Sequence, residues 1–226
     1  MKTYLLSPIV GAIMAISSIP AAHANLLTNE SFESPLVPVA SFTNFGTGST
    51  GITGWTVVGP QASVVSGVFT QNGLSFPAQS GNQWLDLTGF NSNTIEGVTQ
   101  TVGTTPGTMY TLSFWVGNIV NPGGIFGTTS TVDVSINGGP SLAFTNSGGA
   151  GTASLNWAQF TTSFTASSAS TILTFLNGDP ANDNSNGLDN IVLNPTGTTS
   201  VPEPATLALL GMGLFGVVAS RRRKPG

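Results

Sequence analysis

The chain contains no cysteine, and its few basic residues lie almost entirely at its two ends. Lys2 is at one end, the other four of the five Lys and Arg residues lie within 221–224, and His23 is the remaining basic side chain. The interior therefore has no side chain for a Ser–His triad, a cysteine nucleophile, a Schiff-base lysine or a zinc site of His and Cys. Disulfides cannot stabilise it either, so its stability must come from a hydrophobic core or from bound metal.

The interior is acidic as well as free of bases. Residues 25–201 contain eight acidic residues and no Lys, Arg or His, which gives them a formal charge of −8. The eight are Glu30, Glu33, Asp86, Glu96, Asp133, Asp179, Asp183 and Asp189. Such a body cannot neutralise phosphates, so we exclude nucleic acid as a partner and expect the body to avoid anionic membrane surfaces. Paired carboxylates are the remaining catalytic device, but these acids are scattered along the chain.

The first 24 residues have the three parts of a secretory signal peptide. Lys2 precedes an apolar run at 4–19, and the small-residue site Ala22-His23-Ala24 follows that run. We therefore predict export from the cytoplasm, with cleavage after Ala24. A buried N-terminal helix is the alternative.

A second apolar segment lies near the other end of the chain. Residues 205–219 carry no charge and lie just before the basic residues 221–224. As a helix they span about 22 Å, which is less than the ~30 Å hydrocarbon core, although a thinned bilayer accommodates such a segment. Basic side chains stay on the cytoplasmic side, so we predict a transient inner-membrane anchor. Residues 194–204 are rich in Pro and Thr, which is typical of a stiff linker.

Apolar and polar residues alternate through much of the interior. Every second residue is apolar in 110–116, in 131–137 and, with one interruption, in 158–164. This spacing, with Gly, Asn and Pro turns between the segments, predicts half-buried β-strands. We predict an all-β fold, an antiparallel jelly-roll β-sandwich over residues 25–193, with an N-terminal signal helix and a short C-terminal hydrophobic helix outside it.

Two kinds of connection are readable between the predicted strands. Asn137-Gly138 lies between two of them and predicts a hairpin turn. The polar segments 117–130 and 177–187 are long for loops within a compact domain, and long loops often line a binding site.

The last 26 residues contain three features in order: Val201-Pro202-Glu203-Pro204-Ala205, an apolar segment and a basic end. This order resembles the PEP-CTERM sorting tail. Its motif is Pro202, Glu203 and Pro204, and its basic end is Arg221, Arg222, Arg223 and Lys224. The resemblance implies an exported protein of a Gram-negative bacterium that makes extracellular polysaccharide. It also implies processing by an exosortase and delivery to the cell surface or extracellular matrix. An ordinary C-terminal anchor is the alternative.

The body carries short motifs at 25–33, 54–55, 85–87, 100–110 and 187–193. In their order and spacing these resemble galactose-binding-like jelly rolls, the architecture of many carbohydrate-binding modules, although Glu30 stands where that family commonly has Gly. The resemblance implies one structural Ca²⁺ that joins Glu33 to Asp189, and calcium prefers such oxygen ligands. The alternative is that both carboxylates cap loops or face water.

The four tryptophans divide into two pairs by their phase in the predicted strands. Trp115 and Trp157 are out of phase with the apolar residues around them, so both are expected to face away from the core. Indole faces can stack on the apolar faces of sugar rings, which makes these two our predicted ligand-binding residues. Trp55 and Trp84 are expected to pack in the core or at loop edges. The alternative is that all four tryptophans pack inside the sandwich.

These observations together predict a non-catalytic protein that binds glycan or exopolysaccharide. Its expected partners are an exosortase-type sorting enzyme, the secretion machinery, a polysaccharide and, transiently, the inner membrane. A structural matrix protein without a specific ligand is one alternative. A carboxylate-dependent glycosidase is the other.

Overall fold

The computed structural model describes residues 24–89, 95–121, 123–179 and 185–196. The predicted signal helix, the hydrophobic sorting helix, the Pro-Glu-Pro motif, the basic end and Asp183 lie outside these residues. Within the described ranges, no helix is long and apolar enough to cross a bilayer.

Strands make up most of the regular structure in these ranges. They are β1 (Phe42–Gly46), β2 (Thr56–Val58), β3 (Gln61–Ser66), β4 (Thr70–Gln71), β5 (Leu74–Ser75), β6 (Gln83–Asp86), β7 (Gly97–Gly103), β8 (Met109–Asn118), β9 (Ser130–Ile136), β10 (Leu142–Asn146), β11 (Asn156–Thr165), β12 (Ser170–Asn177) and β13 (Gly187–Pro195). One sheet has six strands in the order β1-β3-β6-β13-β8-β11, and a second has five in the order β10-β9-β12-β7-β2. Their pairings are antiparallel. The prediction of an all-β antiparallel sandwich is confirmed.

The alternating pattern of the strands places one set of apolar side chains between the two sheets. Leu112, Phe114 and Val116 of β8 are fully buried there, as their common phase predicts. Leu173 and Phe175 of the five-stranded sheet belong to the same core. The rings of Phe114 and Phe175 lie 5.5 Å apart in an edge-to-face arrangement, which is a favourable geometry for aromatic pairs.

The three segments with the clearest alternation lie in β8, β9 and β11. The predicted hairpin turn is also confirmed, because residues 137–141 connect the antiparallel strands β9 and β10, and the N–H of Gly139 donates to the carbonyl of Ile136 at 3.0 Å. The central residues of this turn, Asn137 and Gly138, have φ values of 52° and 69°. Positive φ at both central residues is typical of a type I′ turn, and Asn-Gly adopts it readily.

A second apolar layer covers one side of the outer face of the six-stranded sheet. The hairpin of β4 and β5 and the segment 119–126 supply side chains to it, and they pack on the outward residues of β3 and β6. Its buried members are Val65, Leu74, Phe76, Trp84, Ile119, Phe126 and Leu155. The other side of this outer face, on β8 and β11, remains open to solvent, as the exposure of Gln159, Thr161 and Ser163 indicates.

Candidate functional site

The open face consists of the outward residues of β8 and β11, which form three cross-strand rows. Trp115 pairs with Gln159, and the next two rows pair Ser113 with Thr161 and Thr111 with Ser163. The register places every side chain of these rows on the face opposite the buried Leu112, Phe114 and Val116. The open face is therefore a polar surface with one large indole at its end.

Trp115 is half-buried at the boundary between the open face and the covered side. Its neighbour on the other flank is Asp189 of β13, so the row across three strands reads Asp189, Trp115 and Gln159. Asn190, next to Asp189, donates its side-chain amide to Oε1 of Gln79 at 2.8 Å. The partly exposed ring of Trp115 thus lies between the buried Asp189 and the exposed amide of Gln159, and an aromatic ring beside an exposed polar group is common in ligand sites.

Trp157 also points outward, in agreement with its phase, but its ring belongs to the covered side. Its Nε1–H donates to the carbonyl of Pro77 at 2.9 Å, and its ring lies 6.0 Å from that of Trp84 at 81°. A Cβ atom added to Gly117 would be 2.8 Å from the Trp157 ring, so the ring lies very close to the sheet backbone. Trp115 and Trp157 therefore lie on the same face in different surroundings.

The other two tryptophans are packed inside the protein. Trp55 and Trp84 are each 1% exposed. Trp55 donates its ring N–H to the carbonyl of Asn29 at 3.1 Å, and Trp84 donates to the carbonyl of Phe76 at 3.1 Å. Both rings have a hydrogen-bond partner, as buried indoles usually do.

Glu33 and Asp189 are brought together by one loop, residues 79–83. Asp189 Oδ2 accepts the backbone N–H groups of Gln79 and Ser80 at 2.8 and 3.0 Å, and its Oδ1 accepts that of Asn190 at 2.7 Å. Glu33 Oε1 accepts the N–H groups of Asn82 and Gln83 at 2.7 and 2.8 Å. The two carboxylates are thus bound to residues 79–83 through four backbone amides.

The pKa of Asp189 reflects this environment. Burial raises the pKa of its carboxyl group to about 7, against the hydrogen bonds from the loop, and the charge of Glu33 raises it further. The calcium ion implied by the family resemblance would compete with amide donors for the same oxygens. No group of three or more His, Cys, Asp or Glu side chains able to hold a metal occurs in the described ranges. Since calcium takes 6–8 oxygens, the residues present fit the ion poorly, and the Ca²⁺ site stays a prediction.

A cavity of about 300 Å³ lies on the covered side of the outer face. We call it the aromatic cavity, because five of its lining residues are Phe42, Phe69, Phe76, Trp84 and Phe126. Val65 and Ile125 add apolar surface, and Ser63, Gln71 and Asp86 add polar groups. A mostly apolar cavity with a few polar groups is the usual form of a small-ligand site.

Asp86 is the titratable group of the aromatic cavity. Burial raises the pKa of its carboxyl group to about 7, hydrogen bonds from Thr88 and Asn186 lower it, and the charge of Glu96 raises it again. Sequence reasoning did not single out Asp86 as a site residue. The available signal was the Leu85-Asp86-Leu87 alternation, which puts one acid on the face opposite two core leucines.

The fold and the sorting tail define the class of the protein, an exported β-sandwich protein with a PEP-CTERM end. The PEP-CTERM protein-sorting motif matches residues 200–224, which confirms the sequence prediction and indicates secretion with exosortase processing. The chain belongs to the family described as protein of unknown function (DUF642), whose model matches residues 25–194. No curated protein matches the chain.

Several solved structures are similar to the sandwich. A cyclase from Fischerella sp. TAU is 19% identical, with a TM-score of 0.52 over 76% of this chain and 97% of its own. A CBM4 structure is 16% identical, with a TM-score of 0.36 over 75% and 99% of the two chains. The CBM22-1 xylan-binding domain from Paenibacillus barcinonensis is 15% identical, with a TM-score of 0.39 over 70% and 94%. At these identities the likeness concerns the fold alone.

Proposed function

We propose that this protein binds a glycan at the open face without catalysis, and that Trp115 is the principal contact. The observation that carries the proposal is the position of Trp115, a half-buried indole that lies between the buried Asp189 and the exposed Gln159, at the end of a polar, solvent-open face. A sugar ring presents an apolar face and a rim of hydroxyl groups. The indole fits the first, and the neighbouring side chains fit the second.

The hydrogen-bond partners on the open face are neutral. Gln159, Ser113 and Thr161 each offer a donor and an acceptor to a sugar hydroxyl. Strands in a sheet lie about 4.8 Å apart and residues of one face repeat about every 6.7 Å along a strand, so the three rows form a surface long enough for more than one sugar unit. The function that this surface suits is the binding of a polymer along the strands.

The sorting tail suggests where the protein would meet a glycan. An exosortase that recognises Pro202, Glu203 and Pro204 would release the sandwich after export, with residues 205–219 as a transient membrane anchor and 221–224 on the cytoplasmic side. The released body would reach the cell surface or the extracellular matrix. Its ligand would then be the cell's own exopolysaccharide or another polymer outside the cell.

Affinity electrophoresis in gels that contain different polysaccharides tests the proposal. The wild-type protein should be retarded by at least one neutral polysaccharide, and Trp115→Ala should weaken that retardation about tenfold or more, since truncation of an aromatic anchor commonly costs about 2 kcal/mol. Ile172→Ala is the matched control, because Ile172 is 44% exposed on the five-stranded sheet.

Two outcomes would contradict the proposal. One is a wild-type protein that no polysaccharide retards, with or without calcium. The other is a Trp115→Ala protein that is retarded as strongly as the wild type. Retention in the matrix that survives the loss of Trp115 would favour a structural role without a specific ligand.

A further inference from the structure

The aromatic cavity is separate from the surface around Trp115. Its polar group Asp86 lies on β6, and β13 lies between β6 and β8 in the sheet order. Two strand spacings correspond to about 10 Å. The ring of Trp157 and the loop that carries Pro77 also lie on this side of the sheet, over Gly117 and Gly187. The aromatic cavity is therefore a separate candidate site.

The walls of the cavity are aromatic rings in mutual contact. Phe69 lies 5.7 Å from Phe42 and 5.5 Å from Phe76, and Phe76 lies 5.4 Å from Phe126 and 6.3 Å from Trp84. Phe76 and Trp84 are nearly parallel, at 9°, whereas Phe76 and Phe126 are nearly perpendicular, at 79°. Five aromatic residues therefore line one cavity, and the π face of an aromatic ring attracts cations.

Asp86 lines the same cavity as these rings. Its Oδ1 accepts three hydrogen bonds, from the N–H and the hydroxyl of Thr88 and from the N–H of Asn186, at 3.0, 2.8 and 3.1 Å. All three bonds from the described residues fall on Oδ1, and we take Oδ2 as the oxygen that would face a ligand. The side chain is 8% exposed, so it is held in place before a ligand enters.

The charge around Asp86 is negative. Glu96 and Asp179 both interact electrostatically with it, and no Lys, Arg or His occurs within residues 25–201. An ionised Asp86 thus has no basic side chain of its own body to balance it, and burial raises its pKa because the charged form loses its hydration. An anionic ligand would be repelled, whereas a cation would supply the missing counter-charge.

We propose that the aromatic cavity binds a ligand with an ammonium group, which contacts the ring faces and pairs with Asp86. Two sources of this chemistry fit the lining: an amino sugar with a free amine and a quaternary ammonium compound. Ser63 and Gln71 at the wall suit the hydroxyl groups of either. The aromatic cavity is a different site from the surface around Trp115, so ammonium binding in the cavity does not depend on glycan binding at Trp115.

Titration calorimetry at pH 7.5 with four probes tests the inference. Glucosamine and choline represent the two ammonium sources, and glucose and N-acetylglucosamine are neutral controls. At least one ammonium probe should bind tenfold or more tightly than both neutral probes, and the stronger of the two identifies the source. Equal binding of neutral and ammonium probes, or no measurable binding of either ammonium probe, would overturn the proposal.

Variants connect the binding to the cavity. Asp86→Asn keeps an Oδ1 acceptor for Thr88 and Asn186 but removes the charge, so ammonium binding should fall tenfold or more. Asp133→Asn is the matched control, since Asp133 is an acid of the five-stranded sheet that does not line the cavity. Unchanged binding of the ammonium probe by the Asp86→Asn variant would contradict the proposal.

A second variant covers the case in which Asp86→Asn does not fold. Phe69→Leu removes one half-exposed ring of the wall, and it should weaken the ammonium probe by severalfold while thermal unfolding stays cooperative. Unchanged binding in Phe69→Leu would also count against the cavity. Trp115→Ala should bind the ammonium probe like the wild type, so a failure at either site is distinguishable from a failure at the other.

Discussion

The position of the Trp157 ring depends on two residues that have no side chain. A Cβ atom at Gly117 would lie 2.8 Å from that ring, and one at Gly187 would lie 3.0 Å from it. The two glycines belong to the paired strands β8 and β13 and face each other in register. Their lack of a side chain lets the indole approach the sheet, where its N–H reaches the carbonyl of Pro77.

We therefore predict that Gly117→Ala destabilises the protein by about 1–3 kcal/mol, the usual cost of overpacking a buried contact. Chemical denaturation followed by tryptophan fluorescence measures the change. Gly103→Ala on β7 is the matched control, because a Cβ atom there meets nothing within 4 Å. Equal stability of the two variants would mean that Trp157 does not need the close approach.

For a single residue, its position in the alternating pattern predicted which face of the sheet its side chain lies on. The pattern did not predict which residues surround the side chain there. Trp115 and Trp157 both point away from the main core, as the alternation of β8 and β11 indicates. The difference between them arises from residues far away in the chain, since the loop at Pro77 reaches Trp157. A pattern with a period of two carries no information about such a contact.

At the scale of elements, the loop 79–83 is fixed by two acids from opposite ends of the domain. Four backbone N–H groups of residues 79–83 donate to Glu33 and Asp189. Hydrogen bonds to a charged acceptor are each worth about 1.5–3 kcal/mol, and buried donors left without a partner are costly. The loop thus connects the start of the domain to its last strand.

Asp189→Ala should lower the free energy of unfolding by about 2 kcal/mol or more, because the N–H groups of Gln79, Ser80 and Asn190 lose their acceptor. Thermal unfolding measures this effect, and Glu30→Ala, which removes an acid of the N-terminal segment, is the control. Thermal unfolding in EDTA and in millimolar calcium distinguishes stabilisation by the backbone amides from stabilisation by a bound calcium ion. We expect the wild-type protein to have the same melting temperature in EDTA and in calcium. A melting temperature that rises with calcium in the wild type but not in Asp189→Ala would indicate that calcium binds at Asp189.

The main sheets were predictable from the sequence, and the second layer was not. Long alternating segments such as 110–116 extend over a whole strand, so their period is readable. The hairpin of β4 and β5 has only two residues in each strand, which is too short for a period. The aromatic cavity depends on where this hairpin lies on the sheet, and that position involves long-range packing of Phe69 on Phe42 and of Phe76 on Phe126.

At the scale of the whole molecule, the separation of charge has a consequence for stability. The exported body carries acids without bases, so its buried carboxyl groups have no basic side chain as a partner. Asp86 and Asp179 both have a pKa raised from 3.8 to about 7, in each case mainly by burial. The charges that raise these pKa values further are also negative: Glu96 for Asp86, and Asp86 and Asp133 for Asp179.

A raised pKa in the folded state means that the folded protein holds protons which the unfolded chain has released. This stabilisation is complete below about pH 4 and is lost as the pH rises through about 7. We predict that the melting temperature is higher at pH 5 than at pH 8. Each such group contributes a slope of about 1.4 kcal/mol per pH unit between the two pKa values.

Urea denaturation at a series of pH values measures this slope. Asp86→Asn should flatten the curve and raise stability above pH 7, because the amide removes a charge that burial disfavours. Asp133→Asn removes an acid that is not fully buried, so it should leave most of the slope intact. A wild-type stability that rises between pH 5 and pH 8 would mean that these carboxyl groups are ionised and paired in the folded protein. In that case a bound cation supplies the positive charge that the body of the chain lacks.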